Sequence, residues 1–164
     1  MSWRAMAPGD LADVDGIAAR LHPNYPEDRR VFAERLRLHP DGCRVLLAAG
    51  AWIAGYVLSH PWQLGRPPAL NVLIGSIPSP ASTYYIHDLA LLPEARGSGS
   101  ATVIVEELIR HARALGLTSL SLIAVNGSTP FWERQGFAVD KAAAATDPTG
   151  SYGGDANLML LRLA

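Results

Sequence analysis

Cysteine is almost missing from this chain. Cys43 stands alone, which excludes an internal disulfide, and no group of cysteines and histidines has zinc-site spacing, so no metal site is expected. The opening residues MSWRAMAPGD lack the basic and then apolar blocks of a secretory signal. The most hydrophobic run, Val45 to Leu58, has 14 residues with Gly50 and Gly55 inside it, too short to span a membrane. Neither sign of charge is in excess: 14 basic against 15 acidic residues leave a net charge of −1 and no general attraction to nucleic acid or anionic lipid. Any anion site must be local. These absences lead to the expectation of a cytoplasmic protein with neither nucleic acid nor membrane as partner. Its 164 residues suit a single domain, 1–164, able to bury roughly 70% of the surface the unfolded chain exposes.

What is present is an alternation of strand-like and helix-like segments. A short first strand after Trp3 leads through Pro8 and Gly9 into a helix with Asp10 as candidate N-cap, its apolar Leu11, Val14, Ile17, Ala18 and Leu21 keeping helical spacing. A second helix is expected over Glu27 to Leu38, before HPDG turns the chain. The segment CRVLLAAGAWIAGYVLSH reads as a hairpin. Residues 61 to 82 hold five of the twelve prolines and read as a long loop. TYYIHDLALL is a strand, and GSATVIVEELIRHARALG a helix with a stripe of Ala101, Val105, Leu108, Ala112 and Leu115, ended by Gly116. SLSLIAV is the next strand. A short helix over about 128–135, a strand at 137–140, a loop over 142–155 read as a loose hairpin tip, and a closing strand NLMLLRL complete the order. The pattern predicts an α/β fold with a mixed, mostly antiparallel sheet flanked by helices.

Between strand and long helix lies LLPEARGSGSA, residues 91 to 101. The first amides of a helix are unsatisfied donors and the helix dipole adds partial positive charge, so such a turn can bind phosphate. Gly97 and Gly99 let backbone approach a ligand closely, and Arg96 adds a full charge. The same residues also suffice simply to turn the chain into a helix. No Gly-Lys-Ser/Thr follows, which argues against a nucleotide hydrolase.

Arg96 to Ala101, RGSGSA, matches the R/Q-x-x-G-x-G/A signature of the GCN5-related N-acetyltransferases, and VNGSTPFWERQGF, Val125 to Phe137, resembles the downstream motif of that family. The order of elements is similar over nearly the whole chain. The resemblance implies that acetyl-CoA is the co-substrate, its diphosphate held by the backbone of Arg96, Gly97, Ser98, Gly99, Ser100 and Ala101. It implies further that the pantetheine arm lies where the strand holding Leu89, Ala90 and Leu91 splays from its neighbour. The N–H of Leu91 is then a candidate oxyanion donor, and Asn126, Phe131 and Trp132 are further cofactor contacts. Asn126 reads equally as a helix cap or turn residue. Homodimers are common among relatives, so a homodimer is compatible with the resemblance.

Transfer to an amine needs a nitrogen with its lone pair free and stabilisation of the developing oxyanion. Strict strand alternation puts Tyr85, His87 and Leu89 on one face and Tyr84, Ile86, Asp88 and Ala90 on the other, so His87 and Asp88 are not expected to face the substrate together. His87 is the candidate base, with Tyr85 beside it as a positioning or relay group; a histidine buried against a backbone carbonyl is the alternative, and Asp88 is a candidate for recognising a cationic amine. Many relatives carry a tyrosine acid where this chain has Trp132, and indole is no acid. Ser128 or a water is a candidate substitute, and the departure keeps a non-catalytic acyl-CoA-binding module open as the rival function. Trp62, Tyr25, Tyr84, Tyr85 and Tyr152 are candidates to line an acceptor pocket for a small primary amine or, second, a protein N-terminus.

Overall fold

In a computed structural model that describes residues 1–141 and 150–164, seven strands form one sheet in the order β1-β2-β3-β4-β5-β7-β6. The strands are β1 (Ser2–Ala5), β2 (Cys43–Leu47), β3 (Ile53–Trp62), β4 (Thr83–Leu91), β5 (Ser119–Ala124), β6 (Ala138–Val139) and β7 (Asn157–Arg162). Every neighbouring pair is antiparallel except β4 and β5. The expected mixed, mostly antiparallel α/β fold is therefore present. The helices are α1 (Leu11–Leu21), α2 (Arg29–Leu38), α3 (Ser100–Ala114) and α4 (Thr129–Arg134).

Each sheet face carries its own core. Val14 and Ile17 of α1 and Val31, Phe32 and Leu36 of α2 pack on Val45, Tyr56, Leu58 and Ala90. On the other face Ile104, Val105 and Leu108 of α3 meet Val57, Tyr84, Ile86, Leu120 and Leu122, and Trp132 and Phe137 extend this cluster. The α3 stripe is close to the expected one, except that Leu115 is exposed and Ile104 is fully buried. Gly116, at φ 78°, ends α3: its N–H reaches the Arg113 carbonyl while that of Leu117 reaches Ala112, both at 3.0 Å.

Asp10 holds the N-cap position of α1, as expected, but it also closes a short 3₁₀ turn, Pro8–Asp10, and its carboxylate makes no cap bond to α1. It accepts from the Ala7 N–H at 2.8 Å and pairs with Arg4 at 2.7 Å. Helix α2 begins at Arg29 instead of Glu27, because Asp28 caps it by accepting from the Arg30 N–H at 2.9 Å. Glu27 is thereby released from the helix into the α1–α2 connection.

The proline-rich stretch is a loop beyond Trp62, as expected, and it is tied down. Glu34 of α2 accepts from the N–H of Ile74 at 2.7 Å and of Gly75 at 2.9 Å, and also pairs with the fully buried Arg35 at 2.8 Å. Of the expected loose tip at 142–155, residues 142–149 lie outside the described residues. Gly150–Tyr152 is a 3₁₀ turn anchored by the buried Tyr152, while Gly150, Ser151 and Gly153 to Asp155 are exposed.

Candidate active site

Pairing between β4 and β5 runs from Tyr84↔Leu120 to Ile86↔Leu122 and stops there, while β5 continues along β7 to Ala124. From His87 to Leu91 the β4 edge facing β5 has no strand partner among the described residues, and the two strands enclose the base of a cavity of about 710 Å³. Leu89, Ala90 and Leu91 line it from β4, and Asn126, Ser128, Phe131 and Trp132 line it from the β5–α4 side. An unpaired strand edge lining a cleft offers backbone donors and acceptors that an extended ligand can satisfy.

One end of the cavity is the glycine turn. Gly97 and Gly99 have φ of 78° and 80°, a region costly for residues with a Cβ, and a Cβ built on either would touch nothing. Gly99 is the N-cap of α3, whose first helical bond is Val103 N–H to the Gly99 carbonyl. The amides of Ala101 and Thr102 therefore have no carbonyl partner within the helix, and both residues line the cavity with Arg96, Gly97, Gly99 and Ser100. Ser98 does not line it: its hydroxyl donates to the Ala95 carbonyl at 2.6 Å and holds the turn together. Arg96 is exposed, its Nε donating to the Leu91 carbonyl at 3.3 Å.

The other end is made by a β-bulge. Leu58 pairs with Asp88 and Ser59 with Ile86, which leaves His87 as an extra residue opposite no partner. Strict alternation fails at this point, and the expectation that His87 and Asp88 are mutually exclusive is corrected. Tyr85, His87, Asp88 and Ala90 face the α1–α2 side, whereas Ile86 and Leu89 pack on the α3 side.

Two residues of the α1–α2 connection meet this bulge. His87 Nε2 lies 2.7 Å from Glu27 Oε1, and His22 Nε2 lies 3.0 Å from Asp88 Oδ1. The partner of His87 is thus a carboxylate and not a backbone carbonyl, with Nδ1 buried and unpartnered. Burial pushes the Glu27 carboxyl up, but the His87 charge and bond, with the Asn71 N–H at 2.9 Å, outweigh it and hold the group below the usual carboxylate range. Burial likewise opposes charge at Asp88, and hydrogen bonds from His22 and Tyr56 hold its pKa down nonetheless. For His22, burial disfavours the imidazolium, yet the Asp88 bond and charge, with Glu27, raise its pKa above the ordinary value. The Tyr56 hydroxyl is held well above its usual range by burial and by the Asp88 charge it donates to.

Asn126 does not cap α4; Ser128 occupies the cap position. Asn126 adopts φ 55° and places its amide 2.9 Å from His22 Nδ1, across the cleft. Of the five aromatic candidates, Tyr25 and Tyr152 line the cavity and lie 6.2 Å apart. Trp62 does not, and Tyr84 is buried on the opposite face against His111. Tyr85 is buried beneath His87, ring centroids 6.3 Å apart, outside the cavity wall. Glu27, His22 and Tyr56 were not read as site residues; the signal available for Glu27 was Asp28, a better cap.

The profile of the Acetyltransferase (GNAT) family matches residues 11–137, and the chain belongs to that family. No match exists among curated protein sequences. Among solved structures, Chaetomium thermophilum Naa20 in complex with a bisubstrate analogue is 20% identical over 99% of this chain and 87% of that one, with a TM-score of 0.73. GphF, a GNAT-like decarboxylase in complex with isobutyryl-CoA, is 19% identical over 100% of both chains at 0.73. Ard1 from Thermoplasma volcanium is 14% identical over 99% and 97%, at 0.71. At these identities the likeness is one of fold, and that one of these relatives is a decarboxylase shows that this fold does not fix the reaction.

Proposed function

We propose that the protein is a cytoplasmic N-acetyltransferase that moves the acetyl group of acetyl-CoA to a small primary amine by direct attack in a ternary complex. The carrying observation is the single cavity that joins the glycine turn to the Glu27–His87 pair along the unpaired edge of β4. The diphosphate would rest on the amides at 96–101, with the pantetheine arm along Leu89 to Leu91 and against Asn126, Phe131 and Trp132. The N–H of Leu91 would receive the carbonyl oxygen as it becomes an oxyanion.

His87 is the base of this reading: with Nε2 on the Glu27 carboxylate, Nδ1, buried in this structure, takes the amine proton through a water that enters with the acceptor, and Glu27 stabilises the imidazolium that results. Tyr85 packs beneath this ring and fixes its position. Two carboxylates at the cavity, Glu27 and Asp88, suit an acceptor that arrives as a cation. A small acceptor is favoured because the Leu70 N–H donates to Ser151 Oγ at 2.9 Å, joining the 63–82 loop to the 150–152 turn beside the cavity, with Tyr25 against Tyr152. The second reading is a protein N-terminus, the other acceptor class that presents a primary amine.

Thiol release from acetyl-CoA, measured across a panel of small amines and short peptides, tests the proposal. At least one small amine is expected to turn over, with kcat falling about 10²–10⁴-fold in His87→Ala while acetyl-CoA binding changes less than threefold. Tight binding of acetyl-CoA without turnover on any acceptor would replace this reading by that of an acyl-CoA-binding module.

A further inference from the structure

Expulsion of a thiolate from a thioester calls for a proton as well as a base. Trp132 lines the cavity, but its indole N–H is not acidic at any working pH. His22 is the titratable ring placed across the cleft. It leaves the C-terminus of α1, reaches Asp88 on β4 with Nε2 at 3.0 Å, and meets Asn126, beyond the end of β5, with Nδ1 at 2.9 Å. Its ring spans the two lips of the opening at the level of the bulge. A thioester threaded from the Leu91 level towards Glu27 and His87 has to pass against it.

Resting on the acetyl-transfer reading above, we propose that His22 is the catalytic acid, giving its Nδ1 proton to the sulfur of coenzyme A as the carbon–sulfur bond breaks. The balance is complete once an acceptor that arrives as a cation has lost one proton to water: the neutral amine forms the carbon–nitrogen bond, its second proton goes to His87 and from there to water, the electron pair of the breaking carbon–sulfur bond goes to sulfur, and the His22 proton converts the thiolate to free thiol. Water then reprotonates His22. Asp88 is the positioning residue. Its Oδ1 holds the Nε2–H and its Oδ2 accepts from the Tyr56 hydroxyl of β3. Glu27 of the α1–α2 connection also bears on the ring, His87 bears on Asp88, and Asp15 of α1 bears on Tyr56, so the charged groups facing this assembly are mainly carboxylates. Asn126 suits both protonation states: its amide nitrogen donates to a neutral Nδ1, and a half-turn of the amide presents its oxygen to a protonated one.

Two readouts on the intact protein decide this. In the first, the thiol of bound coenzyme A is titrated by thiolate absorbance, with desulfo-coenzyme A as blank. An imidazolium beside the sulfur stabilises the thiolate, so the apparent thiol pKa should lie below that of free coenzyme A titrated alongside in the wild type, and move back towards it in His22→Gln. This requires no acceptor and stands even if no amine turns over, which would sink the acetyl-transfer reading alone. In the second, kcat on a working amine should drop about 10²-fold in His22→Gln, with coenzyme A binding within threefold and the fall of the wild-type pH profile on the alkaline side abolished. Identical thiol titrations in the two proteins would overturn the proposal, as would an alkaline limb that survives the substitution.

Discussion

Glu34 makes the most demanding test of how the acceptor side is held in place. Its carboxylate accepts two loop N–H groups, from Ile74 and Gly75, and faces an Arg35 guanidinium with no exposed surface. In Glu34→Ala that guanidinium loses its hydrogen-bonded carboxylate, keeping the Val72 carbonyl at 3.3 Å and the more distant charge of Glu27, and its Nε has no partner among the described residues. Breaking a buried pair from one side costs about 3–5 kcal/mol. For a chain of this size each kcal/mol lowers Tm by about 2–4 °C, so a fall of roughly 6–20 °C is expected. The double variant Glu34→Ala/Arg35→Met removes the orphaned charge and should recover about 0.5–3 kcal/mol relative to strict additivity. Urea unfolding at neutral pH measures both. The sign with pH also follows. Burial pushes the Glu34 carboxyl up, but the two amides and Arg35 hold it below its ordinary value. Its contribution is therefore full above the unfolded carboxylate pKa of about 4.3 and is lost as pH falls through the folded value, so the gap between wild type and Glu34→Ala should close in acid. A Glu34→Ala protein within 1 kcal/mol of wild type at neutral pH, or a strictly additive double variant, would refute the reasoning.

Gly99→Trp places a large side chain in the open space over the turn at φ 80°; calorimetry should show acetyl-CoA affinity reduced at least 10²-fold, with a stability loss of only about 1–2 kcal/mol from the left-handed backbone. Glu27→Gln keeps the shape of the His87 partner without its charge, and kcat in the thiol-release assay should fall about 10²-fold with acetyl-CoA affinity within threefold; unchanged kcat would remove Glu27 from the chemistry. Cys43 is fully buried and its thiol is pushed up to about 12 by burial, so iodoacetamide at pH 8 should leave the native protein unmodified and alkylate it only in denaturant.

The parts of the fold that local chemistry dictates were legible in the chain. Gly116 as a helix stop, the paired glycines before α3, and the hairpin of β2 and β3 depend on residues adjacent in sequence. Of the candidate site, the backbone turn and the side chains His87, Asp88 and Asn126 were legible in the chain, but the partners those side chains meet were not. Glu27 and His22 meet their partners across 60 and 66 residues, and neither spacing nor composition signals such a meeting. Glu27 was hidden a second time by being counted into α2, although an aspartate that caps at position 28 excludes it from the helix. The facing of Asp88 was misjudged for a different reason: alternation is a property of unbroken strands, and one extra residue reverses it.

That extra residue links the fold to the site. A bulge increases the local twist of the strand that carries it. On β4 it falls at His87, immediately after the last pair with β5, Ile86↔Leu122, while pairing with β3 resumes at Asp88 and continues to Leu91. The strand therefore stays bound on one edge as it leaves its neighbour on the other, and the cleft opens at the level where two successive titratable side chains turn to the same face. Both consequences follow from one irregularity, so the candidate chemistry and the cofactor-sized opening cannot be separated by substitutions that keep the bulge. Removing His87 altogether, in contrast to replacing it, would restore regular alternation along β4 and leave Asp88 as the one titratable side chain of this stretch on the His22 side.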